Sequence, residues 1–409
     1  MKRVLSIFLG VLTAIGGFVD IGDLVANAAV GSRFGMSLAW ATVLGVVGIC
    51  VFAEMSGRVA AVTSRGTFDL IRERLGPRIG LLNLLASMLV TVLTLTAEIG
   101  GVALAIELVT SVDYLLVVPL VGFAVWLVIW RLPFTWLEDV FGLLGLALVV
   151  FVVALWQLGP DWGDLAHQIA VPQKPASEDL PTYFYYAVAL FGAAMTPYEV
   201  FFFSSGAVEE RWTSKDVVTS RVNVFVGFPL GGILSLAIAA CTALVLLPQG
   251  IQVDTLGQVG LPVAVAAGKI ALAFAILGFV AATFGAALET GLSTGYSIAQ
   301  YFGWQWGKYV PPRKAARFHL VVLLAVLTGV AGVLTTADPI KVTEYSIVFS
   351  AVALPLTYFP ILVVANDPVY MGTKVNGRLA NGLGTVFLVV VSVASVAAIP
   401  LMLITAAGQ

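Results

Sequence analysis

GGFVDIGDLVANAAVG, residues 16–31, belongs to the first strongly apolar stretch of the chain, yet it carries two aspartates three residues apart around a glycine. No basic residue occurs between Arg3 and Arg33 to pair with Asp20 or Asp23. A second stretch, LFGAAMTPYEVFFFSSG (190–206), repeats the arrangement. An offset of 176 residues pairs Gly16 with Gly192, Asp20 with Thr196, Ile21 with Pro197, Gly22 with Tyr198 and Asp23 with Glu199. Each segment thus places oxygen-bearing side chains at i and i+3 around a helix breaker. Gly22 lets a helix unwind through its backbone freedom, and Pro197 through its missing N–H and its clash with the preceding turn.

The surroundings of the two segments are apolar from end to end. Of 409 residues, 60% are hydrophobic and 11% charged, against about 25% charged in soluble domains, and the mean hydropathy is +1.01. Runs long enough to cross a hydrocarbon layer of about 30 Å recur throughout and leave no segment for a soluble domain. Read between polar punctuation, they give eleven spans: 5–31, 36–61, 79–108, 113–130, 136–158, 183–206, 220–247, 264–302, 316–336, 343–366 and 381–406. The chain is therefore expected to be an all-α polytopic membrane protein forming a single transmembrane domain over residues 1–409. The start MKRVLSIFLGVLTAIGG with a following ANA resembles a signal peptide, but Asp20 and Asp23 interrupt its apolar core, so the segment is expected to remain as the first span.

Lysine and arginine set the orientation. With the N terminus cytoplasmic, 17 of the 21 basic residues fall inside, and only Arg33, Lys174, Lys269 and Lys341 fall outside. The C terminus is then outside. The longest outer connection, 159–181, separates the first five spans from the next five. An odd number of spans per half inverts the second half relative to the first, the plan of many secondary transporters. The repeats run over approximately 5–158 and 183–366, with an additional helix at 381–406.

Other residue classes contribute little. A net charge of -2 argues against a nucleic-acid partner. Cys50 and Cys241 lie in apolar runs, where buried thiols are common, and His167 and His319 fall in or beside polar connections. No cofactor, catalytic residue or obligatory protein partner is indicated, and the expected partners are the lipid bilayer and a divalent cation. An unwound stretch at membrane depth must face protein, water or an ion, so its freed carbonyls, with carboxylates beside them, suit a cation site. Asp20 and Asp23 are the primary candidates, followed by Thr196 and Glu199. Among the remaining acids, Glu54 and Glu344 also fall in apolar runs, and Glu98 and Glu289 lie deepest.

At these residues the chain resembles the NRAMP family of divalent-metal transporters, whose members share a LeuT-like fold of two inverted five-helix repeats with broken helices one and six. The family's Asp-Pro-Gly-Asn and Ala-x-x-Met-Pro-His motifs have their counterparts in DIGD (20–23) and AAMTPYE (193–199). VTSRGTFDLIRERLG (62–76), TAEIGG (96–101), TGYSIAQYFG (294–303) and LPLTYFPILVVANDPVYMG (354–372) follow the family pattern in matching order. The resemblance implies a metal site of first-helix side chains, backbone carbonyls and a sixth-helix methionine sulfur. Aligned on Pro197, this chain puts Ala193 at the motif's alanine, Thr196 at the methionine and Asp23 at the asparagine. Met195 stands one residue away, so a one-residue shift of the unwound segment would bring its sulfur to the site.

Exchange of sulfur and amide for hydroxyl and carboxylate favours harder ions. Mg²⁺ in particular binds through one or two carboxylates while keeping several waters. The expected substrate is Mg²⁺, with Mn²⁺ second, as in the NRAMP-related magnesium transporters. By the same resemblance, Tyr198 and Leu95 occupy the places of a histidine and an aspartate of proton-coupled members, while Glu98 keeps a glutamate. A tyrosine, with a reference pKa of about 10, and a leucine cannot relay protons near neutral pH, which implies uncoupled transport. The alternatives are a proton-coupled Mn²⁺/Fe²⁺ transporter of the same family, or an amino-acid or other organic-solute transporter on the same fold. The implied location is the bacterial plasma membrane, and no enzymatic activity is expected.

Overall fold

The computed structural model describes residues 11, 15, 18–335 and 338–408, apart from the side chains of Thr135, Leu137, Glu138 and Asp139. In chain order the helices are α1 (Ile21–Phe34), α2 (Ala39–Thr63), α3 (Thr67–Leu75), α4 (Pro77–Thr110), α5 (Tyr114–Arg131), α6 (Phe134–Gly145), α7 (Val150–Leu158) and α8 (Trp162–Ala170). They continue as α9 (Leu180–Ala194), α10 (Pro197–Glu209), α11 (Val217–Val222), α12 (Phe228–Val245), α13 (Leu256–Phe302), α14 (Ala316–Thr335), α15 (Pro339–Ala365), α16 (Pro368–Met371) and α17 (Arg378–Ile404).

Among the described residues, 10 helical stretches are long and apolar enough to span a membrane, and they coincide with the second to eleventh expected spans. The first expected span, 5–31, lies partly outside the described residues, Gly16 included. Large apolar side chains project outward, Leu116 76% and Val396 77% exposed, as a lipid-facing surface requires. One boundary differs from expectation. The sequence predicts the eighth span over 264–302, whereas α13 begins at Leu256 and bends at Gly268, whose φ of 77° and ψ of -169° only glycine adopts readily.

Several helix starts share one device. Asp113, Asp161, Asp179 and Asp338 each precede a helix and accept a hydrogen bond from a first-turn amide, at 2.8 Å to Leu115, Gly163 and Thr182 and 2.9 Å to Ile340. Such caps satisfy donors that the helix itself cannot. Asp20 holds the same post before α1, but it is 2% exposed. A cap buried this deeply cannot be replaced by water.

The core forms where α1 packs on α12, α2 on α10, and α15 on α4, α9 and α17. Polar ties close both ends of the bundle. At the end rich in arginine, Glu54 pairs with Arg58 at 3.0 Å and Arg221 at 2.9 Å, so this acid, buried as expected, belongs to an ion-pair network. Arg58 also donates to the Lys374 carbonyl at 2.5 Å, and Arg74 pairs with Asp367. At the opposite end Arg33 donates to both oxygens of Glu178 at 3.0 Å, to the Tyr186 hydroxyl at 2.9 Å and to the Gly408 carbonyl at 2.6 Å. The long connection 159–181 carries α8, whose Leu165 packs with Met36, Ala239 and Ala240.

Candidate functional site

The first break falls at Val19 and Asp20, where the backbone of Asp20 is extended with φ -98° and ψ -176°. Asp20 Oδ1 accepts from the Asp23 amide at 2.9 Å, while Glu98 Oε1, reaching over from α4, accepts from the Ile21 amide at 3.0 Å. Two amides bared at the start of α1 thus end on carboxylates, which the positive end of the helix dipole favours. Gly22, expected to be the unwinding residue, lies inside the first turn of α1. Its role is spatial: a Cβ there would come within 2.9 Å of Ile347 Cγ2 and 3.0 Å of Asp20 Oδ1.

The second break lies between α9 and α10, with Met195 at φ -126°, ψ 49° and Thr196 extended at φ -66°, ψ 134°. Pro197 opens α10 at a position where its missing N–H costs nothing. The offset of 176 residues therefore holds in the backbone: Asp20 and Thr196 both precede the first residue of a half-helix, and Asp23 and Glu199 both occupy its third position. Carbonyls bared here were expected to face an ion. Two of them instead accept hydroxyls from α15, Gly192 from Ser350 at 3.0 Å and Met195 from Tyr358 at 3.1 Å.

Between the breaks lies a cavity of about 10 Å³, lined by Asp20, Ile21 and Gly22, by Thr196, by Thr94 and Ala97 of α4, and by Thr343, Ser346, Ile347 and Ser350 of α15. That volume admits one water-sized body. Its polar side chains are one carboxylate and five hydroxyls, with no sulfur. Thr94 and Ser346 share a hydrogen bond of 2.8 Å across the wall. Both sequence candidates at the caps, Asp20 and Thr196, reach this cavity.

The other candidates surround it without lining it. Asp23 is turned toward Asn27, whose Nδ2 donates to its Oδ1 at 3.1 Å and to its carbonyl at 3.0 Å, and Thr42 donates in turn to Asn27 Oδ1 at 3.1 Å. Tyr198 donates its hydroxyl to Asp20 Oδ2 at 3.1 Å. Ala193 packs in the apolar cluster of Leu190 and Ile347. Met195 is fully buried with its sulfur against Gly48, where a Cβ would come within 2.5 Å of it, so the helix register directs that sulfur toward α2. Glu199 lies beside the Thr196 hydroxyl, and Glu289 on α13 is near enough to Asp20 and Glu199 to repel them.

Among the described residues, no three His, Cys, Asp or Glu side chains converge tightly enough to hold one metal ion. A cation in the cavity would meet Asp20 and hydroxyls rather than a cage of acids. Its charge would still be felt nearby. Asp23 Oδ2, Glu98 Oε2 and Glu199 Oε1 are buried acceptors with no hydrogen-bond partner, a costly state for carboxylates that a nearby cation relieves.

Thr94, Thr343, Ser346 and Ser350 were not anticipated from the sequence. A signal was present: 343, 346 and 350 fall on one face of α15, and Asn83, Ser87, Thr91 and Thr94 fall on one face of α4, all of them buried.

Comparison with known proteins agrees with this architecture. A divalent metal cation transporter MntH of Erwinia tasmaniensis is 26% identical over 396 residues, covering 92% of this chain and 89% of that protein. The crystal structure of an Eremococcus coleocola manganese transporter matches with a TM-score of 0.70 at 18% identity, over 96% of this chain and 85% of that one. Mhp1, a nucleobase-cation-symport-1 family transporter, matches at 0.63 with 15% identity, over 97% and 90% of the two chains. The all-α fold with broken helices one and six is thus shared with LeuT-like transporters. The family model described as natural resistance-associated macrophage protein-like matches residues 10–400. The chain belongs to the Nramp family, and it is a transporter rather than an enzyme.

Proposed function

We propose that this divalent-metal transporter of the Nramp type carries Mg²⁺, with Mn²⁺ as a second substrate, by alternating access and without proton coupling. The observation that carries the choice of ion is the lining of the cavity, one carboxylate and five hydroxyls with the Met195 sulfur turned away. Hard oxygen donors, here a carboxylate and hydroxyls, suit Mg²⁺ and Mn²⁺ better than softer transition metals. Asp20 is the ligand in this reading, Thr196 faces it, and Asp23, Glu98, Glu199 and Glu289 surround it as further carboxyl groups. Absence of coupling rests on Tyr198 and on Leu95, which packs in an apolar cluster.

The arginine-rich end is cytoplasmic, as is the N terminus, with the C terminus outside, and the membrane is the bacterial plasma membrane. The inverted repeats cover approximately 5–158 and 183–366. The resemblance to proteins named for manganese and for divalent metals supports a second reading, proton-coupled Mn²⁺ uptake. Reconstituted protein separates the two. Mg²⁺, Mn²⁺, Ca²⁺ and Cd²⁺ fluxes are measured in proteoliposomes containing a pH-sensitive dye. Saturable Mg²⁺ influx with an unchanged lumenal pH is expected, whereas acidification coupled to Mn²⁺ influx, with no Mg²⁺ flux, rejects the proposal.

A further inference from the structure

We infer that Tyr198 is the positioning residue of Asp20: a neutral hydroxyl from the second broken helix fixes the carboxylate of the first in the plane that faces the cavity. This rests on Asp20 being the cation's carboxylate, as proposed above. An aspartate carboxylate turns freely about its last torsion, which has no sharp minima. A single hydrogen bond leaves that rotation open, and two bonds on different oxygens close it.

Asp20 has those two bonds. Oδ1 accepts from the Asp23 amide at 2.9 Å within its own half-helix, and Oδ2 accepts from the Tyr198 hydroxyl at 3.1 Å. The backbone of Tyr198 is itself held, since its carbonyl accepts from Ser293 of α13 at 3.0 Å, and its ring is 1% exposed. The hydroxyl therefore arrives from a fixed point. Each oxygen of Asp20 keeps a further lone pair, so the clamp orients the ligand without consuming it. Mg²⁺ demands near-ideal octahedral geometry, whereas Ca²⁺ tolerates irregular shells, so loosening the carboxylate weakens Mg²⁺ more than Ca²⁺.

The test compares Tyr198→Phe with Tyr296→Phe, which removes another buried tyrosine hydroxyl bonded to a carboxylate, that of Glu209, away from the cavity. In proteoliposomes Tyr198→Phe should raise the KM for Mg²⁺ about tenfold, the size expected for one hydrogen bond to a charged group, with turnover within about twofold. Competition by Ca²⁺ should change less. Tyr296→Phe should leave the KM for Mg²⁺ within about twofold of the wild type. An unchanged KM in Tyr198→Phe, or equal changes in both variants, overturns the inference. A second readout needs no transport. The carboxylate stretch of Asp20, located in infrared spectra by its loss in Asp20→Asn, should shift in metal-free Tyr198→Phe, and a band that stays in place overturns the inference even if Mg²⁺ proves not to be the substrate.

Discussion

At the first break Asp20 precedes a half-helix, caps it, accepts from Tyr198 and lines the cavity; at the second, Thr196 occupies the same place 176 residues later, lines the same cavity and caps nothing with its side chain. Third residues differ as well. Asp23 has one oxygen held by Asn27 and Glu199 lies beside the Thr196 hydroxyl, while each keeps one buried oxygen with no partner. Repetition of a backbone device therefore leaves its chemistry free to diverge. One break supplies charge and the other supplies space and a neutral oxygen.

If that division is right, the two breaks should respond very differently to truncation. Asp20→Ala should lower kcat/KM for Mg²⁺ by at least 100-fold, about 2.7 kcal/mol, while Thr196→Ala should cost at most about tenfold. Equal losses in a proteoliposome flux assay would erase the distinction.

Packing at the breaks offers the next contrast, because both helices press on Ile347 of α15. A Cβ at Gly192 would come within 2.3 Å of the Ile347 carbonyl oxygen, which is backbone, whereas one at Gly22 would meet the Ile347 side chain at 2.9 Å. Overpacking of a tight site costs about 1–3 kcal/mol, so Gly192→Ala should lie at the upper end and Gly22→Ala below it. Thermal unfolding in detergent measures the order, and a reversal would mean that α15 yields at its backbone before its side chain.

Thr196→Met sharpens the comparison most finely. A thioether in the cavity wall should raise the Cd²⁺ to Mg²⁺ preference about tenfold, near 1.4 kcal/mol, measured by competition fluxes. No change in preference would place position 196 outside the coordination shell.

Much of this was legible in the sequence because membrane helices leave little ambiguity in length and sign. The apolar runs located the second to eleventh spans to within a few residues, except where α13 begins at Leu256 and bends at Gly268. The offset of 176 residues located both breaks. The mechanism of unwinding did not follow, since Gly22 fits the pattern of a breaker but sits in a helical turn, with the break set by the cap at Asp20. The hydroxyl wall was obscure for a different reason. Serine and threonine in apolar helices commonly bond their own backbone, as Thr343 does to the Pro339 carbonyl at 2.8 Å, so their presence carries no signal until a neighbouring helix is known. The direction of Met195 depended on helix rotation, which a one-residue ambiguity at an unwound segment conceals.

A cavity of about 10 Å³, lined by side chains that are almost wholly buried, also bears on the arithmetic of passage. In the proposed reading it holds one ion at a time, so there is no queue of ions to push one another through as in a selective pore. Each crossing then needs a complete rearrangement of the bundle, on the microsecond-to-second scale of collective motions, and flux should saturate hyperbolically with a Hill coefficient of about one. The ceiling on throughput is mechanical rather than diffusive.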